Sequence, residues 1–310
     1  MKIYYFGGDV EKICRGAMKP IIFLLLILGL QSCVSQHFFS PKISLIKEWN
    51  TNLAQSSPQG PTLATFTKDN KSLYFLGARH EYGLNSATFI NIKKIIEEFN
   101  PQVIIVEGIP DLTNEKKERI NKLAYQCAKD NFKTCGEDLF AIYLSLKNHI
   151  YWQSGEPKEA KVQEQLVLRG YTKKDIAFFY LVRQIRELIN EKSLNELNFD
   201  HVANDYLQEK AKYAGLPAGL NAHGFRKWYE EKMHKPFILS DIDSETTAPL
   251  VEPDASYLHR ISAKIGLIRD QNLAQSIAEM LNKHQRVMVV YGHSHLLVQL
   301  DLLKNMFETK

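Results

Sequence analysis

"VMVVYGHSHLLVQL" (residues 287–300) decides how this chain is read. Five apolar or aromatic residues, Val287 to Tyr291, have the length and side-chain type of a strand buried on both faces. They run into Gly292, and His293 and His295 follow at once. "SLYFLGARHEYGL" (72–84) does the same, with Gly77 after the apolar run and His80 three residues on. A third run, "QVIIVEG" (102–108), ends on Glu107, an acid that amphipathicity does not place there. Glycine lets the backbone turn sharply as it leaves a sheet. Strand C-termini are also where open α/β sheets bind ligands. A single His or Glu at a strand end more often serves a local hydrogen bond. Three at equivalent ends point to one shared site.

The segments between these runs supply the architecture. "TLATF" and "SLYFLG" flank "TKDNK", whose Asp-Asn centre has turn chemistry, so a hairpin is expected. "SATFINIKKIIEEFN" puts Phe89, Ile92, Ile96 and Phe99 on one helical face, and Asn100-Pro101 stops it. Residues 61–108 therefore read β-β-α-β. From about 113 to 235 the periodicity is helical, and Thr172 with Asp175 has the spacing of a capping box. "PFILSDID" (236–243) reads as a further strand. "IRDQNLAQSIAEMLNKH" (268–284) reads as a helix opened by Arg269. The predicted fold is α/β: a central mixed sheet flanked by helices, with a helical insertion between two strand-Gly-x-x-His units.

Composition sets the bounds. The 310 residues are 45% hydrophobic and 24% charged, with a formal charge of +4, all ordinary for a globular chain. No nucleic-acid-binding motif accompanies that small charge, and no pattern specifies an oligomeric state. "MKPIIFLLLILGLQSC" (18–33) has an apolar run of only ten residues, Ile21 to Leu30. A membrane-spanning helix needs about 20, so residues 18–32 read as a signal peptide. Leu30-Gln31-Ser32-Cys33 resembles a lipobox and predicts lipidation of Cys33, with the protein anchored in the cell envelope facing the periplasm or exterior. The other reading is a plain signal peptide. Asp9 and Glu11 precede the apolar run, so Met18 is the better start and residues 1–17 read as a spurious extension. Residues 33–60, with "AQSSPQGP" at their end, read as a tether, and 61–310 as one domain whose insertion covers about 113–235. Outside the cytoplasm Cys127 and Cys135 can close a disulfide; the alternative is two buried thiols.

Arg269, Leu273 and Ile277 share one helical face. A cation in a first turn opposes the helix dipole, so an inward Arg269 implies an anion beside it, either Glu107 or a substrate carboxylate. The alternative is an Arg269 that snorkels outward with Asp270 compensating. Glu156, in "QSGEPK", reads as a solvated loop acid and a secondary candidate, as does His293. His201, His223, His234 and His259 lack partner spacing and read as structural. "HEYGL" starts like a zincin motif, but Leu84 stands in place of its second histidine.

Taken in order, "LGARH", "VIIVEG", the "RD" helix and "YGHSHL" resemble the TraB/PrgY/Tiki superfamily, with its erythromycin-esterase-like and ChaN-like lipoprotein relatives. The likeness covers about 61–110 and 260–300. It implies Gly77 and Gly292 as turn glycines, and His80, Glu107, Arg269 and His295 as the catalytic set. Two imidazoles and a carboxylate are a common ligand set for a catalytic divalent ion, so His80, Glu107 and His295 are the expected metal ligands. The implied activity is hydrolysis of a peptide or small ester. The ChaN-like branch implies instead a non-catalytic lipoprotein that binds haem or iron.

Overall fold

Among the described residues the sheet has five strands, and three of them are the apolar runs that carry Gly77 or Gly292 or lead into Glu107. The computed structural model describes residues 39–190 and 194–308; the expectations for the start at Met18, the signal peptide and Cys33 lie outside the described residues. The strands are β1 (Thr62–Lys68), β2 (Lys71–Ala78), β3 (Val103–Val106), β4 (Tyr151–Ser154) and β5 (Arg286–Gly292), in spatial order β1-β2-β5-β3-β4. β1 and β2 form the expected hairpin, with Asp69 left-handed at its turn. β2, β5, β3 and β4 are all parallel. Their C-terminal ends therefore share one edge of the sheet: Ala78 lies opposite Gly292, and Val106 opposite both Val290 and Ser154.

Strand periodicity of two gives the sheet two apolar faces. Leu73, Phe75, Ile105, Val289 and Tyr291 point to one face, and Leu76, Ile104, Val106, Met288 and Val290 to the other. The second face is covered by α2 (Ala87–Phe99), α3 (Asn114–Lys129) and α4 (Glu137–Lys147). Helix α2 starts at Ser86, whose hydroxyl accepts from Phe89 N, and stops at a left-handed Asn100. Phe89, Ile92 and Ile96 are buried as their spacing requires. A disulfide joins Cys127 of α3 to Cys135, Cα atoms 6.0 Å apart, in the loop before α4.

A short helix, α1 (Thr51–Gln55), precedes the sheet. Past β4 come α5 (Glu159–Leu168), α6 (Lys173–Asn190), α7 (Phe199–Ala214) and α8 (Ala222–Met233). They enclose their own core, including Phe178, Phe199, Phe225, Trp228 and Tyr229. Asp175 N bonds to Thr172 Oγ1 and Thr172 N to Asp175 Oδ2, so the capping box forms. The 27-residue α9 (Tyr257–Lys283) then ties the two cores together. Leu258, Ile261, Ile265 and Ile268 pack into the insertion; Leu273, Ile277 and Leu281 pack on the sheet. Helix α10 (His293–Phe307) follows β5 with no intervening loop and completes the first face of the sheet.

Four expectations need correction. The segment read as a tether is packed from Phe39 on: Phe39 and Ile46 are buried in the sheet core, and Lys47 N donates to Val298 O. The insertion begins after β4, because the helices at 114–147 belong to the sheet layer. "PFILSDID" holds a 3-10 turn, Leu239–Asp241, whose Phe237, Leu239 and Ile242 bury against the insertion. Arg269 lies in the middle of α9 rather than at its start, so the dipole argument for it fails. No helix among the described residues is long and apolar enough to cross a membrane.

Candidate functional site

Four neighbouring strand ends deliver the site. His80 follows β2, His293 and His295 follow β5, Glu107 follows β3, and Glu156 lies two residues past β4. The closeness of the first three is visible at Gly292. A β-carbon placed there would lie 3.1 Å from Glu107 Oε2, 3.6 Å from His80 Nε2 and 3.6 Å from His295 Cδ2. A side chain at 292 would therefore crowd Glu107 and touch both histidines. Gly77, expected at a turn, lies instead within β2, where a β-carbon would press on Leu296 Cδ2 at 3.0 Å and the His293 α-carbon at 3.2 Å.

Each imidazole is held by its own carboxylate. His80 Nδ1 donates to Glu137 Oε1 at 2.7 Å, and His295 Nδ1 to Asp270 Oδ1 at 2.8 Å. A carboxylate on Nδ1 fixes the tautomer and aims Nε2 away from it. The two dyads differ in exposure. The side chain of His80 is 72% exposed and that of His295 only 11%. Glu137's hydrogen bond raises the His80 pKa, against a smaller opposing effect of burial. Burial alone lowers a histidine pKa, but at His295 the Asp270 and Glu107 carboxylates overcome it and push the value up to about 10. His295 is therefore an imidazolium at neutral pH.

Glu107 sits between two cations. Arg269 Nη2 donates to its Oε1 at 2.6 Å, His295 Nε2 stands 3.5 Å from the same oxygen, and Gly292 N donates to Oε2. Burial raises a carboxyl pKa; His295, Arg269 and the Gly292 N–H more than offset it and hold Glu107 well below the usual carboxylate range. Arg269 also clamps Glu156, with Nε at 2.8 Å from Oε2 and Nη2 at 2.6 Å from Oε1. Glu156 accepts further bonds from Tyr291 Oη at 2.7 Å and Gly108 N at 3.2 Å. Its side chain is 7% exposed, which corrects its reading as a solvated loop acid. Arg269 does point inward, onto Glu107, as one of the two readings of its helical face requires.

His293 is buried with its ring against Gly77 and does not line the cleft hollows. The residues that sequence reading missed are Glu137, Asp270 as a histidine partner, Tyr291, and Asp138, whose carboxyl burial pushes up to about 6. Asp270 was visible beside Arg269 in "RD", and Glu137 with Asp138 in "CGEDLF", but neither stretch carries a spacing that announces a partner. The cluster floors two connected hollows of about 600 and 360 Å³, which share His80, Glu107, Arg183, Ile265 and Arg269.

The donor set meets some of the needs of a divalent ion and not others. The two Nδ1–carboxylate bonds match the outer support that metal-binding histidines have. Glu107 does not match, because its oxygens already serve Arg269, Gly292 N and His295. Among the described residues no three His, Cys, Asp or Glu side chains are placed to hold an ion. The expected His80, Glu107 and His295 triad converges around Gly292, with Glu107 engaged by Arg269. No family model, curated protein or solved structure matches the chain.

Proposed function

We propose that this protein is a hydrolase of ester or peptide bonds, acting at the ends of β2, β5 and β3. The observation that carries the reading is the convergence of His80 Nε2, Glu107 Oε2 and the His295 ring around Gly292, over an open cleft. His80 is the accessible imidazole, and Glu137 holds its Nδ1 so that Nε2 can take a proton from water and later return it to the leaving group. His295 is a buried cation and cannot serve as a base at neutral pH; with Arg269 it stabilises negative charge developing on the carbonyl oxygen. Glu107 keeps both cations in place between turnovers. The likeness to the TraB/PrgY/Tiki superfamily points to the same four residues, His80, Glu107, Arg269 and His295. The lipobox-like Cys33 makes the protein an envelope lipoprotein in this reading.

A second reading is a metal-dependent hydrolase with His80 Nε2, His295 Nε2 and Glu107 as ligands of a divalent ion. The carboxylate on each Nδ1 favours it. It requires Arg269 to release Glu107 and His295 to lose its proton. The test is hydrolysis of model esters and short peptides by the purified protein, with elemental analysis and an absorbance spectrum of the same sample. The proposal expects turnover that falls at least about 100-fold in both His80→Ala and Glu107→Gln. Stoichiometric metal lost in both variants supports the second reading. Unchanged turnover in the variants overturns both, and a Soret band with no turnover replaces them by the haem-binding alternative.

A further inference from the structure

Nearly every charged group on the floor of the cleft is already paired: Glu107 and Glu156 with Arg269, His80 with Glu137, His295 with Asp270. Two guanidinium groups above it are not. Arg183 and Arg186 lie three residues apart on α6 of the insertion, and neither makes a hydrogen bond or ion pair among the described residues. Arg183 borders both hollows of the cleft, and with Arg186 it lines a third of about 240 Å³. That third hollow opens beside Ser244 and Thr247, which also border the smaller cleft hollow together with Arg183. Two acids, Asp243 and Glu187, line the same hollow, and each accepts hydrogen bonds from neighbours other than the arginines. Asp243 accepts from Glu245 N, Thr246 N and the Thr246 hydroxyl, and Glu187 accepts from Gln184. Like charges three apart on a helix repel, and planar guanidinium forks match carboxylate oxygens.

We propose that Arg183 and Arg186, with the Thr247 hydroxyl, form an anion seat at the rim of the cleft. It receives a carboxylate that the substrate carries away from its scissile bond. The substrate class is then a short acyl or peptidyl compound ending in a free carboxylate. This rests on the reading of the cleft as a substrate site, but not on turnover.

The test is direct binding, by calorimetry, of N-acetyl-trialanine with a free C-terminal carboxylate and of the same peptide as its C-terminal amide. The wild type should bind the acid at least about tenfold more tightly than the amide. Arg183→Met, Arg186→Met and the double variant should lose that preference and keep the affinity for the amide. Both positions are solvent-facing, and circular dichroism of each variant checks that it folds. Equal binding of the two peptides by the wild type overturns the proposal, and so does a preference that survives in the double variant. A protein that discriminates the acid yet hydrolyses nothing retains the anion seat and loses the hydrolase.

Discussion

His295 Nδ1 and Asp270 Oδ1 are 2.8 Å apart, and the same Asp270 oxygen accepts from Gln299 Nε2 at 2.8 Å. This buried pairing joins α10 to the middle of α9 and keeps His295 charged. Its folded pKa, near 10, lies above the unfolded value of about 6.5. The contribution to stability is therefore complete below about pH 6.5 and is lost as pH rises through 10. Chelator-treated wild type should lose unfolding free energy between pH 7 and 10, on the order of a few kcal/mol at about 1.36 kcal/mol per pKa unit. His295→Gln should lack that part of the slope. Urea titrations at several pH values give the comparison, and parallel curves for the two proteins would remove the imidazolium assignment.

Glu107 sets the opposite limb. Its pKa is depressed in the fold, so its contribution is present above about pH 4.3 and disappears as pH falls through the folded value. Glu107→Gln should flatten the acid side of the stability profile. It also leaves Arg269 and His295 facing each other without a shared anion, which should cost about 3–5 kcal/mol at neutral pH. A neutral-pH stability equal to wild type would show that the three charges are not coupled as described.

Arg269→Lys separates charge from shape. One ammonium cannot supply the Nε and Nη2 contacts to Glu156 and still bridge to Glu107. The variant should fold, lose about 1–3 kcal/mol, and turn over roughly 10- to 100-fold more slowly, with the change mainly in kcat. Glu156→Gln should shift kcat in the same direction. Wild-type kcat in the lysine variant would exclude the clamp from the reaction.

The Cys127–Cys135 bridge ties the end of α3 to the loop that leads into Glu137, the partner of His80. Closing a loop of this length contributes about 2–3 kcal/mol on the chain-entropy account. Reduction should lower the unfolding free energy by that amount and blunt activity by loosening the Glu137 end of the dyad. Alkylation of the unreduced, denatured protein checks the bond itself, and labelling of both thiols would refute it.

These residues also mark how far the sequence alone can be read. The strands that carry Gly77 and Gly292, and the one before Glu107, are legible because burial on both faces demands unbroken apolar runs, and an acid or histidine past their ends stands out. β4 is not legible: it is four residues long, Tyr151 is exposed at the sheet edge, and only Trp152 is fully buried. Missing β4 displaced Glu156 from the row of strand ends and left it looking like a loop acid. Arg269 was misplaced because α9 runs unbroken from Tyr257, changing cores midway without a sequence break. "PFILSDID" has the apolar content of a strand, but its apolar residues face the insertion core, which composition does not distinguish from a sheet. The dyad partners Glu137 and Asp270 lie 57 and 25 residues from their histidines, and no local periodicity links such pairs.

Gly292→Ala tests the site with the smallest possible change. The backbone at Gly292 is not left-handed, with φ −51° and ψ 142°, so alanine meets no conformational penalty there. The added methyl would press against Glu107 Oε2 at 3.1 Å and touch His80 Nε2 and the His295 ring at 3.6 Å. It occupies the volume in which the proposed water and carbonyl meet, and it crowds the Gly292 N–H bond to Glu107. The expected result is a folded protein, destabilised by about 1–3 kcal/mol, with activity reduced at least about 100-fold. Gly77→Ala is the matched control: its methyl presses on Leu296 and His293, behind the cleft, so it should cost comparable stability with a much smaller loss of activity. Two variants with equal stability and equal residual activity would mean that Gly292 is a packing glycine like Gly77, and that the three side chains around it do not share a reaction volume.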